Sequence, residues 1–283
     1  MDKKPFQQVI RAALKEDIRS GDVTTNHLVA ANRTAKAVIF SKEPAVLCGS
    51  NIACETFKIL NKNIKCRKLF KDGQVIEPFK PILTLEGSNR AILTGERTAL
   101  NFLSYLSAIA TKTYVFVQGV QPYQCKILDT RKTTPTLRFL ERYAVRMGGG
   151  HNHRNDLSAM AMIKDNHWVA VNNQPLGVAI GRMRKKSRVP VELEVDDLNQ
   201  FEEALNWDVD IILLDNMSPK TVTEAVAMKN KMKKKILLEA SGGINLSNIQ
   251  QYAQTGVDMI SIGELTHSRS AIDFSLEITE CKR

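Results

Sequence analysis

Cysteine is scarce: Cys48, Cys54, Cys66, Cys125 and Cys281 make an odd set of five with no CxxC pair. That usage argues against a disulfide frame and a structural zinc, and fits a reducing, cytoplasmic compartment. The thiols read as small core side chains. No run approaches the ~18 consecutive apolar residues of a membrane span. The opening "MDKKPFQQVIRAALKED" is an amphipathic helix pattern with charges throughout, not the apolar stretch of a signal peptide. Aromatics are 6% of the chain, and neither basic run, "RMRKKSR" (182–188) nor "KNKMKKK" (229–235), interleaves them. A stacking platform for single-stranded nucleic acid is thereby disfavoured. There is no GxxxxGK[ST] and no dinucleotide fingerprint between a strand and a helix. "HNH" at 151–153 lacks the i, i+4 spacing of a helical zinc pair. "VDD" at 195–197 lacks the Thr-Gly that would complete the common phosphoribosyl-diphosphate loop.

What is present is a globular composition, 43% hydrophobic and 25% charged, without an evident internal repeat. Forty Lys and Arg against thirty Asp and Glu give a net charge of +10. Such a surplus suits nucleic acid, a membrane surface or small polyanions. Both basic runs close helical patterns just before an apolar strand, where cations complement the helix dipole and stay solvated.

From residue 126 onward strands and helices alternate. Apolar runs stand at "KILDT" (126–130), "AMIKDN" (161–166), "VPVELEV" (189–195), "DIILLDN" (210–216), "KILLEASGG" (235–243) and "DMISIGE" (258–264). Helical patterns such as "TLRFLERYAVRMG", "LNQFEEALNW" and "KTVTEAVAMKN" lie between them. This alternation predicts βαβ units and a TIM-like barrel of six or seven strands, short of the complete eight. Residues 1–115 read as a separate α+β domain on an antiparallel sheet, with "KDG" (71–73) as a hairpin turn. A long helix from "GERTALNFLSYLSAIATKTYVFV" leads into a barrel domain over 116–268, and the tail 269–283 alternates in period two and returns to the first domain as a strand.

Each barrel strand ends on chemistry. "KILDT" runs into Arg131 and Lys132, "AMI" into Lys164, "VELE" into Glu192 and Glu194, and "IILL" into Asp215. "ILLEA" opens into Ser241-Gly242-Gly243, and "MISI" into Gly263 with His267 behind. Residues at successive C-terminal strand ends converge on the mouth where barrel active sites lie. Arg131, Lys132, His153, Arg154 and Lys164 form a cationic group that calls for an anion. Glu194 and Asp215 suit hydroxyl recognition, a divalent cation, or stabilisation of positive charge. Glu192 shares their strand face and either supports them or is merely solvated. The late glycines sit where barrels cradle phosphate, and Asn245 is placed to cap the helix that follows.

"GERTALNFL", "DTRKTTP", "GGGHNHR", "IKDNH", "VELEV", "LLDNM", "EASGGI" and "TGVDMISIGELTHS", with "GDVTT" at 21–25 in support, together resemble the quinolinate phosphoribosyltransferase family nearly end to end. The resemblance implies an open-faced α/β sandwich joined to an incomplete, roughly seven-stranded α/β barrel, and a homodimer with shared active sites. Whether higher oligomers form stays open. It implies transfer of phosphoribosyl from 5-phosphoribosyl 1-diphosphate to the quinolinate nitrogen with decarboxylation, giving nicotinate mononucleotide, pyrophosphate and CO₂. Arg131, His153, Arg154 and Lys164 then hold quinolinate, with Arg97 reaching in from the partner subunit. Lys132 lies between quinolinate and the diphosphate. Glu194 and Asp215 face the ribose and Mg²⁺, which enters mainly with the diphosphate, and Ser241, Gly242, Gly263 and His267 surround the 5-phosphate. Alternatives are the molybdenum-transport-associated branch of the same fold, a non-carboxylating nicotinate enzyme, and remotely a polyanion-binding protein without activity. The chain departs from the family at Thr136 and Ala108, where glycine is common, and at Asn155-Asp156; Asp156 is expected to point outward.

Overall fold

The computed structural model describes residues 3–171, 175–268 and 270–282. Its elements in chain order are α1 (Lys3–Ile18), α2 (Val23–Leu28), β1 (Thr34–Ser41), β2 (Ala45–Val46), α3 (Ser50–Leu60), β3 (Lys65–Lys68), β4 (Val75–Ile76), β5 (Pro81–Ser88) and α4 (Asn89–Gly119). There follow β6 (Lys126–Leu128), α5 (Arg138–Met147), β7 (Ala161–Ile163), α6 (Asp165–Ala170), α7 (Leu176–Lys186), β8 (Val191–Val195), α8 (Leu198–Ala204) and β9 (Ile211–Asp215). The chain closes with α9 (Pro219–Lys231), β10 (Leu237–Ser241), α10 (Ile249–Gln254), β11 (Met259–Ser261), α11 (Glu264–His267) and β12 (Phe274–Lys282). None of the described helices is long and apolar enough to cross a membrane.

Two compact units emerge. The first comprises Met1–Tyr114, Thr136–Gly149 and Ser268–Arg283. Its main sheet has the order β12-β1-β5-β3 and is antiparallel, so the last strand is hydrogen-bonded beside the first. Period-two alternation turns Ala35, Ala37 and Ile39 of β1 inward, where they meet Phe57 of α3 and Ile92, Ala99 and Leu103 of α4 in one core. Gly95 makes this contact possible, since a Cβ there would lie 2.9 Å from the Phe57 ring and from Leu60. "GDVTT" owes its form to a cap: Asp22 accepts from Thr25 N at 2.9 Å and from Thr94 Oγ1 at 3.0 Å.

Three expectations need correction in this unit. "KDG" is a turn but not a hairpin, because β3 pairs with β5 while β4 pairs with β2. The Asp72 carboxylate instead accepts from the N–H groups of Gly49 and Ser50 at the start of α3, and from Tyr143 Oη. Cys54 and Cys66 are disulfide-bonded. The spacing gave no sign of this; the packing of α3 beside β3 brings their Cα atoms to 5.6 Å. Finally α5, expected in the barrel, groups with the first unit. Tyr105 Oη donates to its buried Glu141, and Gly148 lies so near α4 that a Cβ would be 2.3 Å from Ala110 O.

The second unit, Val115–Pro135 and Gly150–His267, is an α/β barrel short of closure. Six parallel strands run in the order β6-β11-β10-β9-β8-β7, and a parallel bridge between Leu128 and His151 adds a one-residue seventh position at the β6 edge. Leu193, Val195, Ile212, Leu214, Leu238 and Ala240 are all buried, on the strand faces that helices cover. The alternate residues Glu192, Glu194, Leu213, Asp215, Glu239 and Ser241 face the interior.

Candidate active site

The C-terminal ends of the six strands open into one cavity of about 820 Å³. Arg131, Lys132, His153, Arg154, Lys164, Glu194, Asp215, Ser241, Gly242, Gly263 and His267 all line it, so the structure gathers these candidates at one mouth. Arg97 belongs to the first unit, exposed on α4. Glu192 is not solvated: it is wholly buried, on the same strand as Glu194 but two residues deeper.

Local chemistry sets each group. Asp129, fully buried at the end of β6, accepts from His153 N at 2.7 Å and from Asn152 Nδ2 at 2.6 Å. Those bonds hold the "HNHR" loop over the barrel interior. Arg131 Nε is buried with no hydrogen-bond partner among the described residues. Arg154 Nη1 donates to Met160 O at 3.1 Å. Burial and the neighbouring Arg131 charge pull the Arg154 pKa down, and Glu192 opposes them. The extended run read at 161–166 stops at Ile163, and α6 begins two residues later. Lys164 stands at that junction, donates its N–H to His167 Nδ1 at 3.1 Å, and pairs through Nζ with Glu194. Trp168 of α6 packs on Trp207 with ring centroids 5.6 Å apart.

On the far wall Asp215 accepts from Asn216 Nδ2 at 2.6 Å. Burial pushes its pKa up and Asp196 adds to this, while Lys164, Asn216 and Lys132 work against it. Gly242 is required, since a Cβ would fall 2.1 Å from Asn216 Oδ1 and its φ is +86°. At Gly263 a Cβ would stand 3.1 Å from both His267 Nε2 and Lys132 Cδ, so the missing side chain lets His267 and Lys132 close over one backbone. Asn245 caps the turn at Ser247, accepting its N–H at 2.9 Å, whereas the N-cap of α10 is Asn248. Asp156 turns into its own loop, accepting from Ser158 Oγ, Asn155 Nδ2, Ser158 N and Ala159 N, and those bonds, the Ser158 hydroxyl first, lower its pKa to about 2.

Sequence reasoning missed Glu239. It sits inside the apolar run "ILLEA", yet its parity with Ser241 marks it as inward-facing. His153 Nε2 lies 3.0 Å from Glu192 Oε2 and 3.5 Å from Glu239 Oε2. These are charge contacts whose directions leave the oxygens without an aligned hydrogen bond. Their ligand atoms lie within 4.8 Å of one another, and among the described residues this trio has the spacing of a metal cluster.

An incomplete α/β barrel whose mouth gathers cations, carboxylates and backbone-exposing glycines into one cavity defines an enzyme for small polyanionic substrates. Family models for the N-terminal and C-terminal domains of quinolinate phosphoribosyl transferase match residues 22–107 and 109–277. A probable carboxylating nicotinate-nucleotide pyrophosphorylase of Methanocaldococcus jannaschii is 40% identical, covering 96% of each chain. The carboxylating enzyme of that name from Mycobacterium leprae is 39% identical, again with 96% of each covered. The solved nicotinate-nucleotide pyrophosphorylase of Francisella tularensis superposes with a TM-score of 0.93 at 37% identity, over 99% of this chain and 98% of that one. The chain belongs to the quinolinate phosphoribosyltransferase family.

Proposed function

We propose that this chain joins quinolinate to the phosphoribosyl group of 5-phosphoribosyl 1-diphosphate, releasing pyrophosphate and CO₂ and leaving nicotinate mononucleotide, a step of NAD biosynthesis. The observation that carries the reading is the wall of Arg131, Lys132, His153, Arg154 and Lys164 in one cavity. A dicarboxylate beside a diphosphate needs such a surplus of positive charge; a monocarboxylate such as nicotinate needs less.

Arg131, Arg154 and His153 grip the two ring carboxylates, aided by Lys164, and so aim the pyridine nitrogen at the anomeric carbon. As the C–O bond to the diphosphate lengthens, positive charge grows on the ribose ring and negative charge on the leaving group. Asp215 and Glu194 favour the first, while Lys132 and His267 favour the second. Lys164 and Glu194, ion-paired with each other, separate to take up substrate. Quaternising the nitrogen makes the ring an electron sink, so the adjacent carboxylate leaves as CO₂ and a proton takes its place. No covalent nucleophile is needed.

The carboxylate of Asp215, facing an open mouth beside Glu194, is the hard oxygen donor set that Mg²⁺ accepts when most of its other ligands are phosphate and water. Bound with the diphosphate, Mg²⁺ would neutralise the departing charge. Arg97, exposed on α4, is assigned to the active site of a second subunit in a homodimer.

With Mg²⁺, quinolinate and phosphoribosyl diphosphate, purified protein releases pyrophosphate and CO₂ in equal amounts; turnover with nicotinate alone would move it to the non-carboxylating enzymes. Mixing Arg97→Ala with Lys164→Ala subunits restores part of the activity if sites are shared, and none if each chain is self-sufficient.

A further inference from the structure

Two fully buried glutamates on separate strands face one imidazole in the barrel interior. Glu192 lies on β8 and Glu239 on β10, flanking β9, and both are 0% exposed. His153 reaches them from the loop before β7, its side chain 8% exposed, with Nε2 3.0 Å from Glu192 Oε2 and 3.5 Å from Glu239 Oε2. Isolated buried carboxylates are costly, so a strand interior does not retain two of them without a compensating cation. Glu239 and His153 touch the cavity, whereas Glu192 lies behind its wall. The backbone of His153 is separately fixed by buried Asp129.

The geometry points to Glu192 and Glu239 as positioning residues that act through His153. Anchoring the ring at Nε2 from both sides, they fix the edge that meets the substrate dicarboxylate. This rests on the function proposed above, and adds to it two residues that lie outside the set contacting quinolinate. Two anchors on separate strands stop the ring from swinging about its χ2 axis, which one would permit. Desolvation works against a charged imidazole here, yet the contacts with Glu192 and Glu239 outweigh it and raise its pKa to about 10. These contacts favour the charged imidazole, and the Arg154 charge acts on Glu192 beside it. The pair also explains how Glu192 and Glu194 divide their work: the deeper one holds the imidazole and the shallower one holds Lys164.

The experiment is steady-state kinetics of Glu192→Gln and Glu239→Gln with each substrate varied in turn. We expect KM for quinolinate to rise about tenfold, KM for phosphoribosyl diphosphate to stay within about twofold, and Glu239→Gln to cost little more once His153→Asn is present. Glu239→Asp, which keeps the charge, recovers part of the loss. An unchanged quinolinate KM, or the same loss in both backgrounds, overturns the proposal. So does a tightly held divalent metal in the purified protein, since the acids would then serve an ion. Should the variants not fold, the wild-type protein decides: with ¹⁵N-labelled histidine, one ring N–H protected from solvent exchange is expected, and its absence overturns the anchoring. Wild-type protein that releases no CO₂ from quinolinate defeats the proposed function, while the ring signal still tests the anchoring.

Discussion

The two units differ in how far they bury their acidic groups. In the first, ion pairs lie on the outside: Lys36 with Glu280, Lys42 with Asp273 and Lys65 with Glu86 all join exposed side chains. Its core is almost wholly apolar, with Phe57 and the ring of residues about it, and buried Glu141 is an exception satisfied by Tyr105. In the second, Asp129, Glu192 and Glu239 are all fully buried. Exposed pairs contribute little because water screens them. Buried groups must be matched, and removing one partner leaves the other stranded. The first unit therefore draws stability from packing, while the second stores electrostatic work where a substrate arrives.

The strongest test of that contrast is Arg131→Ala. Loss of a cation at the cavity whose buried Nε has no hydrogen-bond partner among the described residues is expected to lower kcat/KM for quinolinate by about 10²–10³-fold, with the melting temperature close to wild type. Unfolding with normal residual activity would make Arg131 a structural partner instead. Phe57→Ala reverses the pattern: emptying a fully buried site costs about 3–5 kcal/mol and lowers Tm by roughly 10 °C. Activity per folded molecule should survive, as measured by kinetics below the transition.

A third test uses pH. His153 binds its proton more tightly in the folded protein, with a pKa of about 10 against ~6.5 unfolded. Its contribution to stability is therefore complete below the unfolded value, declines as pH rises, and is gone above the folded one. Calorimetry from pH 6.5 to 10 should show Tm falling more steeply in wild type than in His153→Gln; equal slopes would remove the buried charge from the account. Thr136→Gly is a smaller effect. A β-branched residue at φ +68° is strained, and relief offset by the entropy of glycine leaves about 1 kcal/mol of gain, visible as a raised Tm. Smallest is Lys36→Ala, whose exposed pair should leave the melting curve where it was; a clear drop would mean that the first unit also depends on its ion pairs.

Much of the fold is readable because each strand and helix repeats a local rule. The barrel strands are short apolar runs bounded by polar ends, and β12 shows its period-two alternation plainly. The mouth residues were legible for the same reason: Arg131, Lys164, Glu194 and Asp215 each interrupt an apolar run at its C-terminal end. Thr136 is instructive, since a departure from the family's glycine coincides with a left-handed backbone position.

Other features had no local signal. The union of Cys54 with Cys66, the move of Asp72 from hairpin turn to helix cap, and the grouping of α5 with the first unit depend on how separate elements pack, not on a pattern within one element.

By itself, then, the sequence determined the alternation of elements, the inward or outward parity of each strand residue, and the surplus of cations at the strand ends. These follow from periodicity and charge, which act over a few residues. Only the tertiary structure decided that Glu192 is buried, that Glu239 joins it, and that one imidazole stands between them. The fate of a carboxylate depends on what surrounds it in three dimensions: the same residue type two positions along a strand is either an ion-paired rim group or a sealed anchor.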